Sequence, residues 1–366
     1  MIAALNQLGM SVTWEGDDLV VQGTISPGEH DIFVENSGTT IRFLSAMLAA
    51  CGGNYRLDGI ERMRARPIKD LVDALTQLGV NALCSDNGCP PLQVRSIGFT
   101  EEVCTVRGNI SSQYLSGLMM AAPAATRGIT IHVEGELVSI PYVDITLSVM
   151  SAFGVKISND EYQRFSVDAN ELYSACDYEI EPDASAASYF FAVAAVTGGK
   201  VTVSGLTKDA IQGDVAFCDC LARMGCDVEY GEDSISVTGG PLTGIDVDMN
   251  AISDTVPTLG VIALFAEGTT NIRNVAHVRH KETDRISDLA TELKKLGANI
   301  VERQDGLAIT PGVLRSGEID TYNDHRMAMS FAIAGLKIEG VSINDPGCCE
   351  KTYPQFFDDL ENLLNS

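Results

Sequence analysis

The sequence has no apolar run approaching the roughly 20 residues that a membrane-spanning helix requires. Its first residues, Met1 to Asn6, lack the basic and long apolar stretches of a secretory signal peptide, so none is predicted. Ten cysteines occur, but no pair has zinc-ribbon spacing, and Cys218/Cys220 and Cys348/Cys349 do not resemble a disulfide framework. We therefore expect reduced core thiols and a cytoplasmic location.

Positive charge is also scarce, since 25 Lys and Arg stand against 50 Asp and Glu, for a formal net charge of −25. This balance argues against a nucleic-acid partner, because phosphate backbones bind to basic faces. Small anions remain compatible ligands, because a few focused cations suffice for them. With 366 residues and 45% hydrophobic content, we expect a monomer of two globular domains, residues 1–178 and 179–366.

A repeat of about 72 residues runs through the chain. Five amphipathic helical patterns each end at a glycine, namely Gly9, Gly79, Gly154, Gly225 and Gly297. In the second copy, apolar residues from Ile68 to Leu78 recur at helical spacing, with Pro67 suited to the first turn and Gly79 to a left-handed C-cap. Two short β-rich runs around a polar turn follow each glycine, which predicts a hairpin.

A second helix recurs with the same period and has no polar face, which is typical of a helix buried on all sides. Its copies start at Asn36 to Thr39, Ser111 to Gln113, Asp183 to Ser185, Asp254 to Thr255 and Asn323 to His325. Strands alternate with both kinds of helix. The pattern predicts an α/β (α+β) fold built from repeated supersecondary units.

Charged residues collect where helices start, most densely at Lys281-Glu282-Thr283-Asp284-Arg285 and Asn323-Asp324-His325-Arg326. A helix N-terminus offers unpaired N–H groups and a partial positive charge, and so favours anions. Any single Ser, Thr, Asn or Asp there is most often an ordinary N-cap, and a lone Lys–Glu pair is usually a solvated surface pair. The coincidence of several basic starts in an acidic chain instead favours a site for small, multiply charged anions.

Two carboxylates in these groups suit proton transfer. Asp254 stands where the other helix starts favour anions, which makes it a candidate general base directed at a hydroxyl. Glu282, beside Lys281, is a candidate proton donor or relay.

The motifs together resemble the family of 5-enolpyruvylshikimate-3-phosphate (EPSP) synthases. The matching segments occur in family order over the whole chain: Asn36 to Arg42, Arg66 to Ile68, Ser111 to Leu115, Ser139 to Thr146, Asp183 to Tyr189, Lys281 to Arg285, Tyr322 to Met329 and Lys351 to Pro354. The resemblance implies two similar domains of repeated βαβαββ units, the "inside-out" barrel of enolpyruvyl transferases, with the first unit incomplete. It places shikimate 3-phosphate mainly with the first domain.

The resemblance also implies the reaction and its residues. The enolpyruvyl group of phosphoenolpyruvate passes to the 5-hydroxyl of shikimate 3-phosphate, without a metal or any other cofactor. Phosphoenolpyruvate is expected at Gly38, Arg66, Gln113, Arg285, Arg326 and Lys351. Shikimate 3-phosphate is expected at Ser111, Ser112, Gln113, Ser139, Tyr142, Asp254, His277 and Lys281. Asp254 would accept the hydroxyl proton, and Glu282 with Lys351 would deliver a proton to the methylene carbon.

The chain departs from the family pattern at three places. His277 stands where the family has asparagine, and Ile140 stands where a basic residue is common. The family's Pro-Gly-Ser-Lys-Ser segment, with a downstream arginine, has no counterpart. The helix before Gly9 is also short, so the repeat predicts that roughly 50 to 60 residues are absent.

Two alternatives follow from these departures. The chain could be a catalytically impaired or split remnant that binds anions and needs a separate N-terminal fragment. The related enzyme acting on UDP-N-acetylglucosamine fits poorly, because its family lacks the Asp-His-Arg-Met-Ala-Met string. Gly38 leaves room where a larger residue would crowd an inhibitor, which predicts sensitivity to glyphosate.

Overall fold

The computed structural model describes residues 1–365, which form two compact units, unit 1 from Met1 to Tyr178 and unit 2 from Glu179 onward. The α-helices are α1 (Ile2–Gln7), α2 (Gly38–Cys51), α3 (Lys69–Gln77), α4 (Ser112–Ala121), α5 (Ile140–Ala152), α6 (Ala184–Thr197), α7 (Phe217–Met224), α8 (Val256–Ile262), α9 (Arg285–Lys295), α10 (His325–Ala334) and α11 (Phe356–Leu364). None of them is long and apolar enough to cross a membrane.

The strands of unit 1 are β1 (Ser11–Glu15), β2 (Asp18–Gln22), β3 (Glu29–Phe33), β4 (Gly53–Asp58), β5 (Asn81–Leu83), β6 (Leu92–Ser96), β7 (Val103–Arg107), β8 (Ile129–Glu134), β9 (Ile157–Asp160) and β10 (Arg164–Val167). Those of unit 2 are β11 (Lys200–Ser204), β12 (Asp227–Tyr230), β13 (Ser234–Thr238), β14 (Asp246–Asp248), β15 (Thr270–Arg273), β16 (Asn299–Arg303), β17 (Gly306–Thr310), β18 (Gly317–Ile319) and β19 (Val341–Ile343).

The βαβαββ repeat is complete three times, as β3-α2-β4-α3-β5-β6, β7-α4-β8-α5-β9-β10 and β14-α8-β15-α9-β16-β17. In each, the first strand pairs in parallel with the second, and the fourth strand lies antiparallel between the second and the third. The other sheets are the hairpin β1-β2, the three-stranded β11-β13-β12 and the parallel pair β18-β19. The predicted mixed α/β fold of repeated units is therefore confirmed.

The helix-closing glycines adopt the left-handed conformation that the sequence predicted, with φ of 85° at Gly79 and 113° at Gly225. The prediction for Pro67 was wrong. Helix α3 begins at Lys69, because the N–H groups of Ile68 and Lys69 both donate to the carbonyl of Gly88 and so hold the chain before the helix in a non-helical conformation.

The apolar helices α2, α4, α6, α8 and α10 are the most buried helices, and unit 1 and unit 2 each have one continuous hydrophobic core around them. Four of these helices are capped as expected, with Ser37, Ser111, Asp183 and Asp324 accepting a hydrogen bond from a backbone N–H in the first turn. Asp254 is not a cap. It lies in a 3₁₀ helix, Asn250–Thr255, that precedes α8, so its carboxylate is available for other partners.

Candidate active site

Seven charged side chains of unit 2, which we call the unit-2 cluster, meet at the starts of three helical segments. They are Asp254, Lys281, Glu282, Arg285, Asp324, Arg326 and Lys351. The chain supplies them from the 3₁₀ helix before α8, from the loop into α9, from the first turns of α9 and α10, and from the end of a 3₁₀ helix at Pro346–Lys351. The two sequence motifs therefore converge in space.

Arg285 is the centre of the unit-2 cluster and is only 1% exposed. Its Nε and Nη2 donate to the two carboxylate oxygens of Asp324 over 2.7 and 3.1 Å. Nη2 also reaches Glu282 Oε2 at 3.0 Å, and Nη1 reaches Asp254 Oδ1 at 3.1 Å. The forked guanidinium thus binds three carboxylates at once, a geometry that an ammonium group cannot reproduce.

Asp254 faces three cations. Its Oδ1 accepts hydrogen bonds from Lys281 Nζ and Arg285, and its Oδ2 lies 2.8 Å from Arg326 Nη2. Burial alone would raise the pKa of this carboxyl, but Arg326, Lys281 and Arg285 together hold the pKa well below its usual range. In this state Asp254 is therefore a carboxylate that cannot readily take a proton.

Glu282 and Lys351 form the third part of the unit-2 cluster, with Lys351 Nζ 2.7 Å from Glu282 Oε1. The four cations and three carboxylates leave one formal positive charge. Burial lowers the pKa of the Lys281 ammonium, and Asp254 opposes that effect. Such a group of cations is suited to bind a phosphate or carboxylate that displaces one of the internal carboxylates.

Two buried histidines adjoin these charges. Burial lowers the pKa of His277 and of His325 to about 3 each, with the cations Lys281 and Arg326 adding to the effect. Both imidazoles are therefore neutral at physiological pH. His277, where the family pattern has an amide, can serve a ligand as a neutral hydrogen-bonding group.

Unit 1 contains a second polar group at the N-terminus of α2. Arg66, which is buried, donates from Nη1 to the backbone and side-chain oxygens of Asn36 at 2.8 and 3.2 Å. Gln113 accepts from Arg42 Nη1 at 2.7 Å and donates to Thr39 Oγ1 at 3.2 Å. The guanidinium groups of Arg66 and Arg42 lie beside Gly38.

Gly38 has a steric role, because a Cβ at this position would lie 2.5 Å from Arg66 Nη2 and 3.2 Å from Arg42 Nη1. Its hydrogen therefore leaves space for both guanidinium groups beside the helix N-terminus. The two arginines and that N-terminus make this place suited to an anion.

The remaining predicted residues of unit 1 lie at two other helix starts. Ser111 caps α4, and Ser112 follows it as a buried side chain. Ser139 precedes α5 in the left-handed conformation, with φ of 57°, and Tyr142 lies in the first turn of that helix. A non-glycine residue with positive φ is uncommon and is often found at functional positions.

Three residues that contact these groups in the structure were not predicted as site residues from the sequence. Asp324 is the principal counter-ion of Arg285, and Tyr189 accepts from Arg326 Nη1 at 3.2 Å. Arg42 orients Gln113 and lies over the ring of Tyr114. All three occur inside the motifs named above. The hydrogen-bonding partner of each lies 39, 71 or 137 residues away along the chain. A local sequence pattern cannot show pairs so far apart.

Within residues 1–365, no group of three or more His, Cys, Asp or Glu side chains could hold a metal ion. All ten cysteines are free thiols.

The sequence profile of EPSP synthase (3-phosphoshikimate 1-carboxyvinyltransferase) matches residues 1–360. Among similar proteins, a 3-phosphoshikimate 1-carboxyvinyltransferase of Shewanella sp. (strain W3-18-1) is 46% identical over 99% of this chain and 87% of its own length. One of Marinomonas sp. (strain MWYL1) is 45% identical over 100% of this chain and 88% of its own.

Solved structures share the fold. EPSP synthase from Acinetobacter baumannii superposes with a TM-score of 0.75 at 24% identity, covering 98% of this chain and 86% of its own. The enolpyruvyl transferase NikO from Streptomyces tendae superposes with a TM-score of 0.77 at 18% identity, covering 99% of this chain and 85% of its own. With the profile match over nearly all its length and with relatives of 45% and 46% identity, this chain belongs to the EPSP synthase family.

Proposed function

We propose that the chain transfers the enolpyruvyl group of phosphoenolpyruvate to the 5-hydroxyl of shikimate 3-phosphate, with release of phosphate. The observation that carries this proposal is the unit-2 cluster, in which three cations surround a candidate base, Asp254. Beside them, Glu282 and Lys351 form a candidate proton relay. Both substrates are multiply charged anions, and such cations stabilise the charge that develops on phosphate as it leaves.

Asp254 becomes a base only after substrate has bound. A phosphate or carboxylate that engages Arg326 and Lys281 withdraws these cations from Asp254. Since they are the groups that depress the pKa of that carboxyl, their withdrawal raises it. Asp254 then accepts the 5-hydroxyl proton as the hydroxyl oxygen bonds to the central carbon of phosphoenolpyruvate.

The methylene carbon gains a proton in the same addition. Lys351, an ammonium 2.7 Å from Glu282, supplies it directly or through that carboxyl. The addition gives a tetrahedral intermediate. Elimination then removes a proton from the new methyl group, expels phosphate and restores the double bond, so the net proton count at this carbon is unchanged.

In unit 1, we assign anion binding to Arg66, Gln113 and the backbone at Gly38, and hydroxyl or phosphate contacts to Ser111, Ser112, Ser139 and Tyr142. We assign His277 and Lys281 to shikimate 3-phosphate. The substrate preference of each unit, the monomeric state and the cytoplasmic location are parts of this proposal. The remnant alternative is not favoured, because the relatives with this name match 99% of the chain.

The test is turnover by the purified chain. Incubation with phosphoenolpyruvate and shikimate 3-phosphate should release inorganic phosphate and give the enolpyruvyl ether, seen by ³¹P and ¹H NMR. Asp254→Asn should abolish release while leaving the fold intact by circular dichroism. Absence of product from the folded wild-type chain would contradict the proposal.

A further inference from the structure

The segment from Asp183 to Tyr189 belongs to the family pattern, yet the proposed function assigns no residue of it. Tyr189 lies at its end, in the apolar helix α6, and is 1% exposed. A phenol in a hydrophobic core requires a hydrogen-bonding partner for its hydroxyl. That partner is Arg326, in the first turn of α10, whose Nη1 donates to the Tyr189 oxygen over 3.2 Å.

The ring of Tyr189 is fixed by helix α11, which follows Lys351 in the chain. It packs edge-to-face against Phe356, with the ring centroids 5.6 Å apart and an interplanar angle of 76°. Phe356 is itself fully buried and also packs edge-on against Phe190 and Tyr353, at 5.9 and 5.8 Å. Edge-to-face contact is a preferred geometry for aromatic pairs. The packing of the ring therefore holds the hydroxyl at a set position.

Arg326 meets groups of different charge at its two terminal nitrogens. Nη2 lies 2.8 Å from Asp254 Oδ2, and this carboxylate opposes the charge of the guanidinium. Nη1 binds a neutral phenol, because burial raises the pKa of Tyr189 to about 12. The hydroxyl therefore orients the guanidinium without neutralising it.

This difference matters when an anion binds. In the proposed function, an anion takes the place of Asp254 at the Arg326 guanidinium. A long side chain that loses its only anchor can change rotamer, and ordering it again lowers the affinity for the ligand. A neutral acceptor at Nη1 does not compete with the anion, so it stays bound. The planar guanidinium then keeps Nη2 in the direction that Asp254 had occupied.

We propose that Tyr189 is a positioning residue for phosphoenolpyruvate: its hydroxyl holds the Arg326 guanidinium in place when the anion replaces Asp254. Tyr189 acts through Arg326 and not by contact with the reacting atoms. The inference rests on the proposed function, which assigns Arg326 to phosphoenolpyruvate. It adds the requirement that a neutral hydroxyl from helix α6 anchors that arginine.

The test is a double-mutant cycle of Tyr189→Phe with Arg326→Lys. Tyr189→Phe keeps the ring against Phe356 and removes only the hydroxyl. Because the lost bond has a charged donor, KM for phosphoenolpyruvate should rise about fivefold to tenfold, with kcat and KM for shikimate 3-phosphate within about twofold of wild type. A purely structural role would lower the urea midpoint and the active fraction, and would leave the ratio of the two KM values unchanged.

Arg326→Lys replaces the fork with one ammonium group, which cannot bind the hydroxyl and an anion in the same geometry. In that background, Tyr189→Phe should raise KM for phosphoenolpyruvate by less than about twofold more, because residues that act together have non-additive effects. If Arg326→Lys turns over too slowly for kinetics, the rise in melting temperature with phosphoenolpyruvate, at a fixed concentration of shikimate 3-phosphate, compares the same four affinities.

The matched control is Tyr230→Phe. It also removes a tyrosine hydroxyl, which donates to Asp219 over 3.2 Å outside the unit-2 cluster. It should leave both KM values within about twofold of wild type, since this bond touches no residue of the cluster. A second variant, Phe356→Leu, keeps the Tyr189 hydroxyl but removes the edge-to-face support of its ring, and should raise KM for phosphoenolpyruvate about threefold.

Two results would overturn the proposal. The first is an unchanged KM for phosphoenolpyruvate in folded Tyr189→Phe. The second is an equal fold-increase from Tyr189→Phe in the wild-type and Arg326→Lys backgrounds, which would show that Tyr189 acts independently of Arg326. A folded wild-type chain that gains no thermal stability from the two substrates would overturn the proposed function as well. A chain that binds with the expected pattern but releases no phosphate would contradict the proposed function alone.

Discussion

At the scale of single residues, Arg285 shows most clearly how the unit-2 cluster depends on side-chain shape. Arg285→Lys keeps the charge but cannot bind Asp324 through two nitrogens while also reaching Glu282 and Asp254. We expect kcat/KM to fall at least about 100-fold, or about 2.7 kcal/mol of transition-state stabilisation. The kinetics of phosphate release by the wild type and the variant measure this ratio of kcat/KM values.

The matched control is Arg279→Lys. The guanidinium of Arg279 also forms ion pairs with two carboxylates, Asp284 and Glu302, but lies outside the unit-2 cluster. Its replacement should leave kcat/KM within about threefold of wild type, since partly exposed ion pairs contribute under about 1 kcal/mol. Equal losses in the two variants would show that Arg285 has no special part in turnover.

Gly38 gives a second prediction at this scale. The methyl group of Gly38→Ala would lie 2.5 Å from Arg66 Nη2, so the guanidinium must shift. We expect KM for phosphoenolpyruvate to rise about tenfold, which corresponds to about 1.4 kcal/mol, and inhibition by glyphosate to weaken. Steady-state kinetics with each substrate varied in turn provide the test.

Gly199→Ala serves as the comparison, because only the Thr197 hydroxyl would come near a Cβ there. It should retain wild-type constants. An unchanged KM for phosphoenolpyruvate and unchanged inhibition in Gly38→Ala would separate Gly38 from the binding of this substrate.

The histidines predict a pH dependence of stability. His277 and His325 have folded pKa values lowered to about 3, whereas unfolded histidine titrates near about 6.5. The unfolded chain therefore binds protons first as pH falls. The stability from the neutral imidazoles is complete above about pH 6.5 and is lost between there and about 3, at up to about 1.4 kcal/mol per pH unit for each residue.

Urea unfolding from pH 7.5 to 5 measures this slope. The double variant His277→Asn with His325→Gln should flatten it, while His132→Asn, an exposed position on β8, should not. In the wild-type chain, NMR signals of both buried rings should stay constant from pH 8 to 5. Titration of either ring within that range would contradict the assignment.

At the scale of elements, the loop before α10 is held by helix α9. Tyr322 and Asn323 both have positive φ, at 55° each, which is strained for such side chains. Tyr322 donates its hydroxyl to Glu292 of α9 over 2.6 Å, and Glu292 is fully buried. Since α9 begins at Arg285 and α10 is capped by Asp324, this contact fixes the two helix starts that carry the central ion pair.

Tyr322→Phe should destabilise the fold by about 1–3 kcal/mol, because it removes a hydrogen bond from a buried carboxylate. It should also lower kcat/KM through misplacement of Asp324. Urea midpoints and phosphate release give both quantities.

Tyr353→Phe removes an equivalent bond to Asp359, which is only partly buried, whereas Glu292 is fully buried. It should change stability by less than about 1 kcal/mol. If both phenylalanine variants behaved alike, the link between α9 and the loop would have no particular importance.

Sequence patterns predicted elements better than their contacts. Glycine at a helix end and apolar residues at helical spacing are local signals, so the amphipathic helices, hairpins and buried helices were all predictable. The entry to α3 was not, because Gly88 sets it from about twenty residues away. Asp254 was expected as a cap but lies in the 3₁₀ helix Asn250–Thr255, which precedes α8.

At the scale of the whole molecule, charge dominates. A net charge of −25 destabilises the compact folded state through repulsion between the negative charges. Salt screens this repulsion, with a Debye length of about 10 Å at 0.1 M. We expect the melting temperature to rise by a few degrees between 10 and 150 mM KCl, measured by calorimetry. A fall over this range would mean that the ion pairs of the fold outweigh the repulsion.

The repeat was also visible at this scale, and it predicted the fold class without any contact information. Assembly of the candidate site was less predictable. Lys281, Arg285 and Arg326 were predicted as binding residues from their motifs. Nothing in those motifs shows that Asp324 forms the ion pair with Arg285 or that Asp254 contacts three cations. Those pairings follow from the packing of α8, α9 and α10.

The carboxylates around Arg285 have one more consequence, for the thermodynamics of ligand capture. A long side chain that is immobilised only on binding loses rotational freedom at that moment, about 0.5–1.5 kcal/mol for each such chain. Arg285 is already fixed by Asp324, Glu282 and Asp254. An anion that binds at the unit-2 cluster therefore replaces one of the carboxylates already bound to Arg285. The side chain of Arg285 then loses little conformational entropy on binding.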